Sequence, residues 1–65
     1  MEDRILNAYR RGKSDAAYKK TGKNLYSTKE EISAYNEGSK YVLYAMLFRN
    51  TEEKSEKEII ELCQR

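Results

Sequence analysis

Residues 41–48 form a run of eight apolar or aromatic side chains, and this run constrains the fold more than any other feature of the chain. Such a run is compatible with a buried strand as well as with a helix. We expect a helix, because a capping signal lies upstream and no turn residue interrupts residues 39–49. A helix that is apolar on all sides must be covered from more than one direction. The fold therefore needs either a surrounding core or a second molecule at this point.

The small size of the chain limits how it can cover that run. A domain of 65 residues buries only about 60% of the surface that its unfolded chain exposes. The single cysteine, Cys63, excludes an intrachain disulfide, and without histidine the chain has no ligand set for a structural zinc ion. We expect no metal and no cofactor. Oligomerisation or partner binding would then supply the missing stability.

Composition favours an all-α fold in a single domain that covers residues 1–65. The chain has no proline, and 37% of its residues are charged, which favours helices over strands. Periodicity and capping signals predict helices over about residues 3–20, 28–49 and 51–64. We expect the first two to form an antiparallel hairpin, the third to follow at the C-terminal end, and the assembly to be dimeric.

Two of these helices have recognisable start signals. A Ser, Thr or Asn side chain followed three residues later by Glu can satisfy the free amides at a helix start. The candidate pairs are Ser27 with Glu30, or Thr28 with Glu31, before the second helix, and Asn50 with Glu53 before the third.

Small residues recur at helical spacing on the first two helices. They are Ala8, Gly12 and Ala16 on the first and Ala34, Gly38 and Ala45 on the second. Glycine inside a helix costs about 1 kcal/mol relative to alanine, so it is expected where another helix must approach closely. The two stripes predict a tight crossing between the helices of the hairpin.

The side chains that catalysis usually needs are absent from the sequence. Histidine, the commonest general base, does not occur. Cys63 lies beside Leu62 near the end of the third helix, where we expect it to act as a small hydrophobic residue. The carboxylates between residues 52 and 61 alternate with lysines, which is typical of a solvated helix face. We expect a binding protein and not an enzyme.

The sequence favours a cytoplasmic location. No stretch of 18 apolar residues could cross a membrane. The first residues lack the basic segment and apolar run of a secretory signal. A lone cysteine fits a reducing compartment.

The candidate protein-binding residues lie in the apolar run. The first helix offers mainly small residues against it, which is too little to cover its full circumference. Aromatic residues are enriched in the cores of protein interfaces. We expect Tyr44, Leu47 and Phe48 to be exposed and, together with Tyr41, to bind a protein partner or a second copy of the chain.

A basic, tyrosine-containing surface is the candidate for nucleic-acid binding. Residues 1–25 carry seven basic side chains against three acidic ones, whereas residues 26–65 carry six basic against eight acidic. Lysine and arginine can neutralise phosphates, and tyrosine can stack on unpaired bases. The residues concerned are Arg10, Arg11, Lys13, Lys19, Lys20, Lys23 and Tyr26.

Several positions follow the pattern of a known family. The segment Ala8-Tyr9-Arg10-Arg11-Gly12 is followed by Tyr26, and Tyr35 and Gly38 come nine and twelve residues after that tyrosine. Over about residues 4–46 this pattern resembles ribosome modulation factor, a family of small basic proteins of stationary-phase bacteria. There an A-x-x-R-G stretch opens the first helix, Pro-Tyr ends the linker, and an aromatic residue followed by glycine lies on the second helix. Similar short segments occur in uncharacterised phage proteins.

The resemblance implies a helix–linker–helix layout and a protein that silences translation by binding the small ribosomal subunit. The positions that would carry the family's roles are Arg11, Gly12, Tyr26, Tyr35 and Gly38. The chain departs from the pattern at three points. Leu25 stands where the family has proline, Tyr35 replaces a tryptophan, and the acidic extension over residues 51–65 has no counterpart. The net charge of +2 is also low for a protein that binds ribosomal RNA.

The expected function is that of a non-catalytic regulator, of phage type, which inhibits a macromolecular partner by occluding the partner's surface. The alternative is a ribosome- or RNA-associated factor that uses the basic first helix. A self-assembling structural subunit is a third class, which the mass in solution would distinguish. Salt sensitivity of binding separates the first two classes.

Overall fold

The computed structural model describes residues 2–18, 26–49 and 52–64, and this part of the chain contains three α-helices and no strand. Helix α1 spans Glu2–Ala17, helix α2 spans Lys29–Phe48 and helix α3 spans Glu56–Cys63. The predicted all-helical fold is therefore confirmed for the described residues. Residues 19 and 20, at the predicted end of the first helix, and Asn50, the predicted cap of the third, lie outside them.

Helix α2 begins at the second of the two predicted capping pairs. The Thr28 hydroxyl accepts a hydrogen bond from the Glu31 amide at 3.3 Å and donates one to the Glu31 carboxylate at 2.6 Å. This satisfies one of the amides that every helix start leaves unpaired. At the other end, Arg49 adopts a left-handed conformation with φ 54°, which stops the helix after Phe48.

Helix α3 begins later than the sequence predicts. Residues 52–55 are not helical, and the helix starts after Ser55, whose hydroxyl accepts a hydrogen bond from the Glu58 amide at 3.3 Å. The predicted start at residue 51 is therefore wrong. The physical reason is that Glu53, expected to complete the cap, bonds instead to two side chains of α1.

The buried core draws on all three helices. Its members are Ile5, Ala8 and Tyr9 of α1, Ala34 of α2, and Ile59 and Cys63 of α3. The partly buried side chains of Tyr26 and Ile60 pack against it. Since α3 contributes two buried side chains, it docks on the other helices even though its first turn is exposed.

Helices α1 and α2 touch backbone to backbone at two glycines. A Cβ atom added at Gly12 would overlap the carbonyl oxygen of Tyr35, and one added at Gly38 would overlap the carbonyl oxygen of Tyr9. The Ser39 hydroxyl donates a hydrogen bond to the Gly12 carbonyl at 3.3 Å. The tight crossing that the small-residue stripes predict is therefore present, and glycine is required on both helices.

Candidate protein-binding surface

Five apolar side chains project into solvent from the last turns of α2. The exposed fractions are 50% for Leu43, 50% for Tyr44, 62% for Met46, 72% for Leu47 and 71% for Phe48. We call this set the apolar end of α2. Tyr44, Leu47 and Phe48 are exposed as the sequence predicts, and Leu43 and Met46 extend the surface beyond that prediction.

Helix geometry explains why this surface is uncovered. A helix advances about 100° per residue, so the buried Ala34 and Gly38 share one side of α2 with the partly buried Ala45. Leu43 and Leu47 fall on the opposite side. Helix α1 packs on the first side, so Leu43 and Leu47 face away from the core.

The other exposed side chains of the apolar end of α2 point in other directions. By the same geometry Tyr44 and Met46 lie on opposite flanks of the helix, and Phe48 lies between Tyr44 and the packed side, at the last residue of the helix.

The aromatic rings on this surface form a pair. The ring centroids of Tyr44 and Phe48 are 5.9 Å apart, with the planes inclined by 53°. Tilted pairs at this separation are favourable beyond the area that they bury. Because the two residues are four positions apart on one helix, the backbone holds both rings in place before any partner arrives.

A cleft of about 130 Å³ opens beside this surface, between the three helices. Its apolar lining comes from Tyr9 of α1, Tyr41 and Tyr44 of α2, and Ile59 and Leu62 of α3. Two acidic and two basic side chains complete the lining: Glu37, Lys40, Glu52 and Lys54. The predicted site residue Tyr41 therefore lines the cleft and is partly buried, whereas Tyr44 belongs to both the cleft and the exposed surface.

Glu53 holds the segment before α3 against α1. Its carboxylate accepts a hydrogen bond from the Tyr9 hydroxyl at 2.8 Å and pairs with the Lys13 ammonium at 2.7 Å. The hydrogen bond from Lys13 lowers the pKa of Glu53 below its ordinary value, and the bond from Tyr9 acts in the same direction. Burial raises the pKa of Tyr9, and the hydrogen bond to Glu53 raises it further. The Lys13 ammonium also lies over the ring of Tyr9, 5.0 Å from its centroid.

Carboxylates accompany each described basic residue of the candidate nucleic-acid site. Arg10 pairs with Glu56 at 3.9 Å, Arg11 with Asp15 at 3.3 Å, and Lys13 with Glu53. Tyr26 is partly buried, and its ring centroid lies 5.9 Å from that of Tyr35. The predicted residues Lys19, Lys20 and Lys23 lie outside the described residues.

Sequence reasoning missed two features of this region. The cleft joins residues that are up to 53 positions apart, Tyr9 and Leu62, so no local pattern could reveal it. Glu53, before α3, and Glu56, the first residue of α3, pair with basic side chains of α1. The opposite charge of the two ends of the chain was the signal that could have suggested this contact.

The described part of the chain gives little support for a reactive thiol, a metal site or a membrane-spanning helix. Cys63 is buried, and burial raises the pKa of its thiol, which disfavours the reactive thiolate. Among the described residues, no group of three acidic, cysteine or histidine side chains is placed to hold a metal ion. No helix within residues 2–18, 26–49 or 52–64 is long and apolar enough to cross a bilayer.

Comparison with known proteins identifies no relative. The chain matches no family model, no curated protein and no solved structure.

Proposed function

We propose that this chain is a non-catalytic binding protein, which regulates another protein by covering part of that protein's surface with the apolar end of α2. The observation that carries the proposal is the exposure of five large apolar side chains on one helix. Aromatic side chains expose roughly 150–250 Å² when fully uncovered, so this surface amounts to on the order of 500 Å². Patches of that size are often functional in monomeric proteins.

An antiparallel hairpin of α1 and α2 is the scaffold in this proposal. Tyr9 of α1 packs against Gly38 of α2, and Gly12 of α1 packs against Tyr35 of α2. As residue numbers increase along α1, the numbers of the residues that they contact on α2 therefore decrease. This order of contacts supports opposite helix directions. The hairpin holds the buried side of α2 against α1 and leaves the opposite side free for a partner.

Self-association belongs to the same proposal. A chain this short has a small core, of which Ile5 is the largest fully buried side chain among the described residues, so burying the apolar end of α2 in a dimer would add stability. The interior of an obligate dimer interface resembles a protein core cut in half. An exposed cluster of Leu, Met, Tyr and Phe has that character.

A protein partner is favoured over RNA by the distribution of charge. Phosphate binding needs cationic side chains whose charge is available, whereas Arg10, Arg11 and Lys13 each have a carboxylate within 3.9 Å. The residues that carry the resemblance to ribosome modulation factor include Gly12, Tyr35 and Gly38. Because these three meet at the helix crossing, they support a shared hairpin more than a shared target.

The test uses the immobilised chain to capture partners from a lysate of its native cells, with and without nuclease. A captured protein should bind Phe48→Ala at least about 30-fold more weakly than wild type, the size of a hot-spot loss. Tyr18→Ala is the matched control, because Tyr18 is an equally exposed aromatic residue outside α2. Capture that nuclease abolishes, or affinity that falls steeply with salt while Phe48→Ala binds normally, would instead favour the RNA-associated role.

A further inference from the structure

The exposed rings of Tyr44 and Phe48 and the neighbouring cleft form a projection and a recess on one side of α2. Tyr44 belongs to both. Phe48 pairs with Tyr44 and projects beyond it, 71% exposed. The recess has a volume of about 130 Å³, and an apolar cavity of about 150 Å³ is known to hold benzene. The cleft is therefore large enough for one phenyl ring, which would contact its aromatic and aliphatic lining.

We infer that a second copy of this chain occupies the surface, with the Phe48 ring of each copy in the cleft of the other. This inference rests on the proposed function, since both assign binding to the apolar end of α2. It adds the identity of one occupant and the side chain that enters the cleft.

Two-fold symmetry makes the arrangement self-consistent. In an isologous dimer the same patch serves both copies, so a projection and its recess must lie on one surface. Two α2 helices that cross in opposite directions near Met46 and Leu47 bring residue 48 of each copy opposite residue 44 of the other. Four residues of helix cover about 6 Å, and this offset of one turn brings Phe48 of one copy level with Tyr44, which lines the cleft of the other.

The area and the rim of the cleft also suit this occupant. A stable interface buries about 800 Å² per partner. Tyr44, Leu47 and Phe48, which lie towards the cleft side of α2, supply on the order of 300 Å² of that area, and the lining of the cleft adds to it. The charged side chains that flank the cleft are two acidic and two basic. This balanced rim imposes no net charge on the incoming group, as an uncharged phenyl ring requires. Lys40 and Arg49 bracket the five apolar residues in sequence and would lie at the solvated edge, where charged side chains are tolerated.

The dimer and the complex with a foreign protein would exclude each other. Both use Tyr44 and Phe48, so these two side chains are not available to a foreign protein while the chain is in the dimer. Partner binding would then draw on the monomer alone, and the fraction of chain competent to bind would fall as its concentration rises.

Sedimentation of the full chain from low to high micromolar concentration tests the inference. Wild type should show a monomer–dimer equilibrium, and Phe48→Ala should weaken it by about 30-fold or more. Leu62→Trp, which fills the cleft from α3, should weaken it as much while leaving all five exposed residues in place. Ile32→Ala is the matched control, because Ile32 is an exposed aliphatic residue at the other end of α2, and it should not change the equilibrium.

Mixing the two variants gives the decisive measurement. Phe48→Ala keeps its cleft and Leu62→Trp keeps its phenyl ring, so a mixed dimer regains one of the two reciprocal contacts that each pure variant lacks. The mixture should therefore dimerise more strongly than either variant alone. Circular dichroism with thermal melting confirms that both variants remain folded, and Phe48→Ala alters only a side chain that is already exposed.

Three results would overturn the inference. They are a wild-type chain that stays monomeric at several hundred micromolar, a dimer that neither variant weakens, and variants that do not complement each other when mixed. Capture of a partner that depends on Phe48 by a strictly monomeric chain would refute the dimer and leave the proposed function standing. A complementing dimer that captures no protein at concentrations where it dissociates would do the reverse.

Discussion

The two halves of α2 differ in hydrophobicity and in burial, and the two differences run in opposite directions. Residues 29–40 are mostly polar, yet they contain the three buried residues of the helix, Ala34, Tyr35 and Gly38. Residues 41–48 are all apolar or aromatic, yet none of them is buried. Along α2, close approach of the α1 backbone decides which residues are buried, and the most apolar stretch of the helix is left largely exposed.

The first half is fixed by contacts that tolerate little change. The glycines leave no room for a methyl group between α1 and α2. The Tyr35 hydroxyl donates a hydrogen bond to the buried Asp15 carboxylate at 2.7 Å, and Arg11 pairs with the other carboxylate oxygen at 3.3 Å. In the second half the outward-facing side chains of Leu43 and Leu47 are exposed. The two halves should therefore respond very differently to substitution.

The largest expected loss of stability comes from adding a methyl group where α1 and α2 cross. Gly12→Ala or Gly38→Ala should each lower the free energy of unfolding by about 2–3 kcal/mol, because the new Cβ overlaps a backbone carbonyl and the helices must separate. The better helix propensity of alanine returns only about 1 kcal/mol. For a chain of this length total stability is roughly 3–10 kcal/mol, so either substitution should remove a large part of it. Urea denaturation followed by circular dichroism measures the loss.

Asn36→Ala is the control for that substitution, since Asn36 is exposed on the same helix two residues before Gly38. It should be neutral or slightly stabilising. The double variant Gly12→Ala/Gly38→Ala should cost less than the sum of the single ones, because the first methyl group already separates the helices. Additive costs would show that the two glycines act independently.

How far the sequence predicted this structure depends on the range of the interactions. The capping pair Thr28–Glu31 and the small-residue stripes are local patterns, and both led to correct elements. Glu53 misled the prediction, because its bonds to Tyr9 and Lys13 span 40 or more positions and outweigh a local cap. The cleft was missed for the same reason: three separate helices line it.

Removing the buried hydroxyl of Tyr35 should have the next largest effect. Tyr35→Phe deletes the donor to Asp15 and leaves a buried carboxylate with fewer partners, which costs about 1.5–3 kcal/mol for a bond to a charged group. Tyr44→Phe makes the same chemical change on the exposed half and should alter stability by less than about 0.5 kcal/mol. The measurement is the midpoint of urea unfolding for both variants. Equal losses would erase the contrast between the two halves.

A smaller effect is expected where the segment before α3 meets α1. Glu53→Gln removes the ion pair to Lys13 and weakens the bond from Tyr9, and since Glu53 is partly exposed the loss should be about 1 kcal/mol at neutral pH. The pKa of Glu53 is lowered in the fold, so its stabilisation is complete above the ordinary value of 4.5 and disappears as the pH falls through the lowered pKa.

The control for Glu53 has the same charge change without the contact. Glu61→Gln alters an exposed glutamate of α3 and should leave both the stability and its pH dependence close to wild type. Thermal melting between pH 7 and pH 3 should show the Glu53→Gln and wild-type curves converging at low pH. A constant difference across this range would mean that the carboxylate charge does not stabilise the contact.

The smallest expected change in stability is at Leu47, and it tests most directly whether the two halves of α2 differ in role. Leu47→Asp places a charge on a side chain that is 72% exposed. The lower helix propensity of aspartate and its negative charge in the last turn of α2 should lower the free energy of unfolding of the monomer by less than about 1 kcal/mol. The same charge in the proposed dimer would be buried without a partner, which costs several kcal/mol, and sedimentation should therefore find the variant monomeric. Ala34→Asp, on the buried side of the same helix, should instead unfold the chain. Unfolding is measured at a concentration where wild type is monomeric, since dimerisation would otherwise add to its apparent stability. A Leu47→Asp chain that unfolds in the monomer would show that the apolar end of α2 is needed for the fold itself, and the division of α2 into a packed half and a binding half would fail.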